Sequence, residues 1–156
     1  MANRLLLHLL DEGYSKGWYG SALRTALRGV TPAHAVWRPA RRRHNIWEVI
    51  VHAAYWKYRV RQRLTGGAGG EFPYGGTNWF RRDAADATAW RADLALLEEQ
   101  HQRLRGAVAA LPARALQRKV PNGATAEQNV LGIAMHDVYH AAQIQLLKAL
   151  RRNGGA

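Results

Sequence analysis

The sequence predicts an all-α protein, a four-helix bundle with a longer Gly-rich connection between its second and third helices. Four segments carry apolar residues at the three- and four-residue spacing of a helix, and no segment has the alternation of a strand. The chain has 156 residues, of which 47% are hydrophobic, enough for one domain with a buried core. Four long helices, two of them joined by a longer loop, are typical of a bundle.

The first predicted helix covers residues 3–28. Its apolar stripe consists of Leu7, Leu10, Tyr14 and Trp18. Three glycines within it each weaken a helix by up to about 1 kcal/mol relative to alanine. After this helix, Thr31 followed by Pro32 is typical of an N-cap and a first helical position, which predicts a short turn as far as Trp37.

The second predicted helix covers residues 45–64. Asn45 and Glu48 have the spacing of a capping box, with asparagine in place of serine or threonine. The segment 66–77 that follows contains six glycines and Pro73, a composition typical of an irregular connection. Its position suits a long crossover or a flap over a site.

The third predicted helix covers residues 86–111, and the fourth covers 125–152. The third has a buried seam of residues three and four apart: Trp90, Leu94, Leu97, His101, Leu104, Val108 and Leu111. The fourth begins with a capping box from Thr125 to Gln128. Both patterns predict amphipathic helices packed in one bundle.

Composition restricts the function classes. The chain has no cysteine, so disulfides, thiolate metal ligands and a cysteine nucleophile are excluded. The net charge of +12 invites a nucleic-acid-binding interpretation. The arginines are scattered, however, with one cluster at 41–43 and no nucleic-acid-binding motif. We therefore expect the arginines to be solvated cations and nucleic-acid binding to be a minor alternative.

No segment is apolar for the length of a membrane span. The N-terminal stretch begins like a signal peptide but soon meets Asp11 and Glu12, and no small-residue cleavage site follows. These features predict a cytoplasmic protein without a membrane partner.

Two histidines, His136 and His140, lie four residues apart in the fourth predicted helix. Imidazoles one helical turn apart can chelate one ion, although this spacing alone is a weak signal. Helical projection places His136 in the buried arc of this helix and His140 at its edge. The same projection predicts a solvent-facing side made of Asp137, Ala141, Gln145, Lys148 and Arg152. It predicts an opposite, buried side made of Gly132, Tyr139, Gln143, Leu146, Leu147 and Leu150.

A third ligand would have to come from another helix. His52 flanks the apolar arc of the second helix, between Val49 and Trp56, which suits a ligand in a cleft between helices. His101 competes with it, since it lies on the seam of the third helix; a core histidine or a residue beside the site is the favoured interpretation there. Residue patterns alone leave the choice between His52 and His101 open.

Several other polar residues could belong to the metal site, but each of them also has a purely structural explanation. Tyr139 and Gln143 could orient a ligand histidine or contact a substrate, or they could simply bond across the bundle. Glu48 lies one turn before His52 and could reach the same ion, but helix capping explains it more simply. His8 and His34 are predicted to lie on the surface; His44 could line a pocket, although a surface position is favoured.

Three stretches together resemble a known family: "GWYGSALRTALRGVTPAHAVWRP", "HNIWEVIVHAAYWKYRVRQRLTG" and "LGIAMHDVYHAAQIQLLKALRR". A histidine in the second helix, combined with HxxxH and a following glutamine in the last, is similar to the DinB-like family of bacterial metal-binding four-helix bundles. The resemblance covers nearly the whole chain and implies one DinB-like domain over 1–156. Relatives often have Trp-His-Gly where this chain has Trp18, Tyr19 and Gly20.

The resemblance implies that His52, His136 and His140 bind a divalent metal, and that the protein is a homodimer. The family includes bacillithiol S-transferases and a mycothiol-dependent maleylpyruvate isomerase. We therefore expect a metal-dependent enzyme acting on a small molecule, as a thiol S-transferase with an external low-molecular-weight thiol or as a hydrolase.

The alternative to an enzyme is a stress-response protein that binds a metal or small ligand without turnover. Zinc and nickel are the favoured ions, and iron and manganese also accept imidazole. No residue stands out in the sequence as a general base.

Overall fold

A computed structural model describes residues 2–153, which contain six α-helices and no β-strand. The helices are α1 (Ala2–Asp11), α2 (Leu23–Ala26), α3 (Pro32–Ala35), α4 (Ile46–Thr65), α5 (Ala87–Ala110) and α6 (Ala126–Asn153). A π-helical turn, Glu12–Lys16, continues α1, and a 3₁₀ turn, Ala113–Ala115, follows α5. The all-α prediction is confirmed.

The core lies between α4, α5 and α6. Helix α4 packs against both α5 and α6, and α1 packs against the same two helices. Buried apolar residues form two clusters, one around Trp47 and Ile50 of α4 and one around Leu10 of α1 and Leu104 of α5. The centre of α4 is thus enclosed by its neighbours, and polar side chains on it must find partners inside the protein.

The first predicted helix is wrong in extent. Helix α1 ends at Asp11, and the chain leaves the π-helical turn at Gly17, whose φ of 64° is left-handed and favours glycine. A Cβ at Gly17 would lie 2.5 Å from the carbonyl oxygen of Gly20, so the turn has no room for a side chain. Trp18, expected on the buried stripe, is 77% exposed as a result.

The predicted helix starts at the other caps are confirmed. The Asn45 side chain accepts a hydrogen bond of 2.8 Å from the backbone N–H of Glu48. At the start of α6, Thr125 Oγ1 accepts from the N–H of Gln128, and Gln128 Oε1 accepts from the N–H of Thr125. These reciprocal bonds satisfy backbone groups that the first helical turn leaves unpaired.

The predicted faces of α6 are right only in part: Gln145 is exposed and Leu147 is buried, as expected. Asp137 and Ala141, expected to face water, are fully buried, whereas Tyr139 and Leu146, expected to be buried, are 61% and 59% exposed. The buried side actually consists of Ala126, Asn129, Val130, Ile133, Ala134, Asp137, His140, Ala141, Ile144 and Leu147. The physical reason is that Asp137 forms an ion pair with the buried Lys57 of α4, a partner that a helical projection cannot reveal.

Between α4 and α5 the chain is irregular from residue 66 to residue 86. Several of its glycines have positive φ, and the guanidinium of Arg61 donates to the carbonyl groups of Ala68 and Gly69. The side chains of Phe72, Tyr74 and Trp79 pack against the core. This segment therefore lies back along α4 and brings its last residues to the middle of that helix.

No helix within residues 2–153 combines the length and the hydropathy that crossing a bilayer requires.

Candidate metal centre

Three histidines from two helices converge at the middle of α4. His52 Nε2 lies 3.1 Å from His136 Nε2, and His140 Nε2 lies 3.0 Å from the same atom. One ring nitrogen from each residue lies within 4.8 Å of the other two. His52 and His140 are buried and His136 is half-buried. The structure therefore brings together the three histidines that the family resemblance implies as ligands, with His140 rather than His136 deeper in the protein.

The other ring nitrogens define which tautomers are present. His52 Nδ1 lies 2.8 Å from the backbone carbonyl oxygen of Asn78, and His140 Nδ1 lies 2.6 Å from Oε1 of Gln143. Both partners are acceptors, so each Nδ1 carries the proton and each Nε2 presents a lone pair. Both lone pairs face His136 Nε2, which can donate at most one hydrogen. A cation among the three nitrogens satisfies all of them at once.

The distances suit such a cation. Ligand nitrogens about 2.0–2.1 Å from a tetrahedral zinc ion lie about 3.3 Å from one another. The two Nε2 separations of 3.1 and 3.0 Å differ from that value by a few tenths of an ångström. Imidazole nitrogen is a good ligand for zinc, nickel, copper and iron. The residues present therefore fit a divalent ion with small side-chain adjustments.

Burial keeps these imidazoles neutral. Desolvation, followed by the neighbouring His140 and His52, lowers the pKa of His136 to about 3. Desolvation also lowers the pKa of His140 to about 4 and the pKa of His52 below its ordinary value. A metal binds only the deprotonated nitrogen, so the site is ready to bind at neutral pH without releasing protons from the rings.

The last residues of the segment 66–86 position His52. Trp79 stacks on the His52 ring, with centroids 3.9 Å apart and planes 9° apart, and His44 stacks on the other face of Trp79 at 3.6 Å. Asn78, whose carbonyl accepts from His52, has a positive φ of 68° and accepts a 2.9 Å hydrogen bond from Trp56 Nε1. Asparagine tolerates this left-handed conformation better than most residues. Nothing in the local sequence marks the carbonyl of Asn78 as a partner of His52, so residue patterns do not predict this contact.

The remaining candidates lie in different places. Gln143 contacts His140 as described, and the Tyr139 ring packs edge-on against His140 with centroids 5.1 Å apart while staying mostly exposed. His101 is buried elsewhere, stacked on Tyr14 at 3.8 Å. Glu48 does not reach the three histidines: its carboxylate accepts from Arg38, His44 and the backbone N–H of Arg82.

The surface histidines vary in exposure. His8 and His44 are exposed, as predicted, whereas His34 is half-buried. Within residues 2–153 no carboxylate joins the cluster of three histidines. The ligand set is therefore purely imidazole.

Comparison with known proteins gives one match. Residues 18–144 match the family model described as the DinB superfamily. This span is well over half of the chain and contains all three clustered histidines. No curated protein and no solved structure matches the chain.

Proposed function

The chain belongs to the DinB superfamily, and from this premise we propose that it binds one divalent metal ion through His52, His136 and His140 and acts as a metal-dependent enzyme on a small molecule. The observation that carries the proposal is the convergence of three Nε2 atoms, two of them with lone pairs directed at the third. The reaction class is thiol S-transfer or hydrolysis, and zinc or nickel is the favoured ion.

The fold supports this proposal. We infer that the four long helices, α1, α4, α5 and α6, form a four-helix bundle with the Gly-rich segment 66–86 as its long connection, because α1 and α4 both pack against α5 and α6. Ligands from facing helices in the interior of a bundle are a common way to build a metal site. Here α4 and α6 supply the ligands, and the connection covers His52.

The bound ion would supply Lewis acidity towards a thiol or a water molecule, and three protein ligands leave a coordination position free for either. The chain itself has no cysteine, so a thiol would come from a co-substrate. Asn78 and Gln143 hold the imidazoles of His52 and His140 in fixed orientations. Trp79 keeps water from the outer face of His52. Tyr139 places an exposed phenol beside His140, where it can contact a substrate.

A second candidate is metal or small-ligand binding without turnover, as in a stress-response protein. The observation that favours it is the absence of a carboxylate from the cluster among the described residues, which leaves no obvious general base. Binding of nucleic acid by the exposed arginines at 41–43 is a weaker alternative.

Metal analysis tests the binding step. Protein purified without added metal should contain about one divalent ion per chain, whereas the His136→Ala variant should contain little. The exposed His8 provides a matched control, His8→Ala, which should keep the ion. Equal metal content in wild type and His136→Ala would refute the site.

An activity screen then separates the two candidates. Metal-free and metal-loaded protein are assayed for thiol transfer and for ester and amide hydrolysis. Rates above those of the free ion, lost in His136→Ala, support an enzyme. Rates no higher than those of the free ion favour the binding protein.

A further inference from the structure

A cavity of about 240 Å³ lies beside the three histidines, between α4 and the first half of α6. His136, a member of the histidine cluster, belongs to the wall of this cavity. Trp56 also belongs to the wall, and its ring packs edge-on to His52 with centroids 6.3 Å apart. The polar part of the wall consists of Arg63, Asn122, Gln128 and Asn129. A molecule in this cavity would therefore contact His136, one of the three proposed metal ligands, and a set of polar groups.

Arg63 is the only charged residue in the wall, apart from any charge on His136. Its guanidinium lies 5.6 Å from the centre of the Trp56 ring and donates a 3.1 Å hydrogen bond to Asn129 Oδ1. Asn129 is itself held by the carbonyl of Thr125 and by reciprocal amide bonds with Asn122. Arg63 is thus held in one place by a cation–π contact and a fixed amide.

No acidic side chain neutralises this cation. Among the ion pairs within residues 2–153, none involves Arg63, and no aspartate or glutamate lines the cavity. Burial lowers the pKa of Arg63 from its ordinary value, although arginine stays charged at neutral pH. A half-buried cation without a counterion favours an anionic ligand.

His136 is the residue that the cavity shares with the proposed metal centre. Its Nδ1 has no hydrogen-bond partner among the described residues, but this atom is buried, so a molecule in the cavity does not reach it. Arg63 is therefore the group that decides which charge the cavity accepts.

We propose that this cavity is the substrate-binding subsite for a carboxylate, with Arg63 as the residue that selects it. The inference rests on the proposed function, because the substrate's other end would reach the ion. The planar fork of a guanidinium matches the two oxygens of a carboxylate, and the amides of Asn122 and Gln128 suit neutral polar groups beside it. The substrate class is a small carboxylic acid, or a thiol that carries a carboxylate.

Calorimetric titration tests the proposal with succinate, its neutral analogue succinamide and inorganic phosphate. Wild-type protein should bind succinate more tightly than either of the others, and Arg63→Gln should weaken succinate binding by about tenfold or more, the range of a lost charge-assisted contact. The affinity of Arg63→Lys for succinate should lie between those of wild type and Arg63→Gln, because lysine keeps the charge but lacks the planar fork. Arg59→Gln removes an exposed arginine one turn earlier on α4 and should bind like wild type.

The titrations are made on metal-loaded and metal-free protein, with circular dichroism as the check that every variant is folded. An Arg63-dependent preference for succinate that persists without metal supports the subsite even if metal binding fails. Equal binding of succinate by wild type and Arg63→Gln, or equal binding of succinate and succinamide, would overturn the proposal. A preference for phosphate over succinate would overturn the assignment to carboxylates.

Discussion

Individual hydrogen bonds to the ring nitrogens decide how the three imidazoles point. His140 and His52 each donate from Nδ1 to an acceptor, which leaves Nε2 free as a ligand. The Nδ1 atom of His136 has no hydrogen-bond partner among the described residues. The orientation of the site therefore depends on one side chain, Gln143, and one loop carbonyl, that of Asn78.

We predict that Gln143→Leu lowers metal affinity by roughly 10- to 100-fold, the usual effect of losing a partner of a ligand histidine. The variant removes the acceptor for His140 Nδ1 and should leave the fold intact, because Gln143 is only half-buried. Competition titration with a chromophoric chelator measures the affinity. Gln145→Leu, an exposed change on the same helix, is the control, and a Gln143→Leu affinity equal to that of the control would contradict the role.

His101 is expected to make the protein acid-sensitive. Burial, with a contribution from Lys57, lowers its pKa to about 3, whereas in the unfolded chain a histidine titrates near 6.5. Between about pH 6.5 and pH 3 the unfolded state therefore binds one more proton at this residue than the folded state. Stability then falls as the pH falls, by up to about 1.4 kcal/mol per pH unit for one histidine.

Urea unfolding at a series of pH values measures this dependence. The His101→Phe variant should lose less stability than wild type between pH 6.5 and pH 4, whatever its stability at pH 8. His8→Gln, which also removes one histidine, should follow the wild-type profile. A His101→Phe profile with the wild-type slope would show that His101 is not the group responsible.

At the scale of whole elements, α4 and α6 are joined by a buried ion pair. The Lys57 ammonium donates to an Asp137 carboxylate oxygen, and neither side chain is exposed. Burial raises the pKa of Asp137 and the Lys57 charge opposes that rise. The pair joins the two helices that carry the clustered histidines and fixes the register of one against the other.

Breaking this pair on one side should be costly. Lys57→Met leaves a buried carboxyl group without its partner, and we expect a loss of about 3–5 kcal/mol in the free energy of unfolding. The double variant Lys57→Met/Asp137→Leu should recover much of that loss, because no unpaired charge remains. Chemical denaturation of the two variants and of wild type provides the comparison. A double variant less stable than Lys57→Met alone would contradict this explanation.

Sequence patterns predicted α4, α5 and α6 well, extended the first helix too far, and assigned the faces of the helices less well. The seam of α5 and the caps of α4 and α6 follow from local spacing, and the structure has them. The face of α6 was misassigned because Asp137 is charged. Its burial is stabilised by the ion pair with Lys57, a residue far away in the sequence. Likewise Asn78 and Trp79 belong to an irregular segment whose path depends on tertiary packing. Long-range partners are the part of the site that no local pattern contains.

The whole molecule has a large exposed apolar surface on α6 and the turn after α1. We call it the α1–α6 surface, and it consists of Trp18, Tyr19, Leu131, Met135 and Val138, all more than a third exposed. These residues line a groove of about 550 Å³ whose wall contains no arginine or lysine and one acidic residue, Glu12. On a chain with a net charge of +12, an apolar surface without arginine or lysine lets a second copy approach with little repulsion.

We predict a homodimer through the α1–α6 surface, since large exposed apolar patches usually mark contact sites. Met135→Glu should shift the wild-type dimer to a monomer in sedimentation equilibrium. Leu150→Glu, an exposed change about 22 Å along α6, should leave the dimer intact. A wild-type protein that stays monomeric at every concentration, or a Met135→Glu variant that stays dimeric, would contradict the prediction.

The most direct measurement is anomalous X-ray diffraction from crystals of protein purified without added metal, with data collected on both sides of the zinc and nickel absorption edges. We expect one anomalous peak at about 2.1 Å from Nε2 of His52, His136 and His140, and its edge identifies the element. A map with ordered imidazoles and no anomalous peak between them, or with a peak only at other residues, would contradict the metal centre.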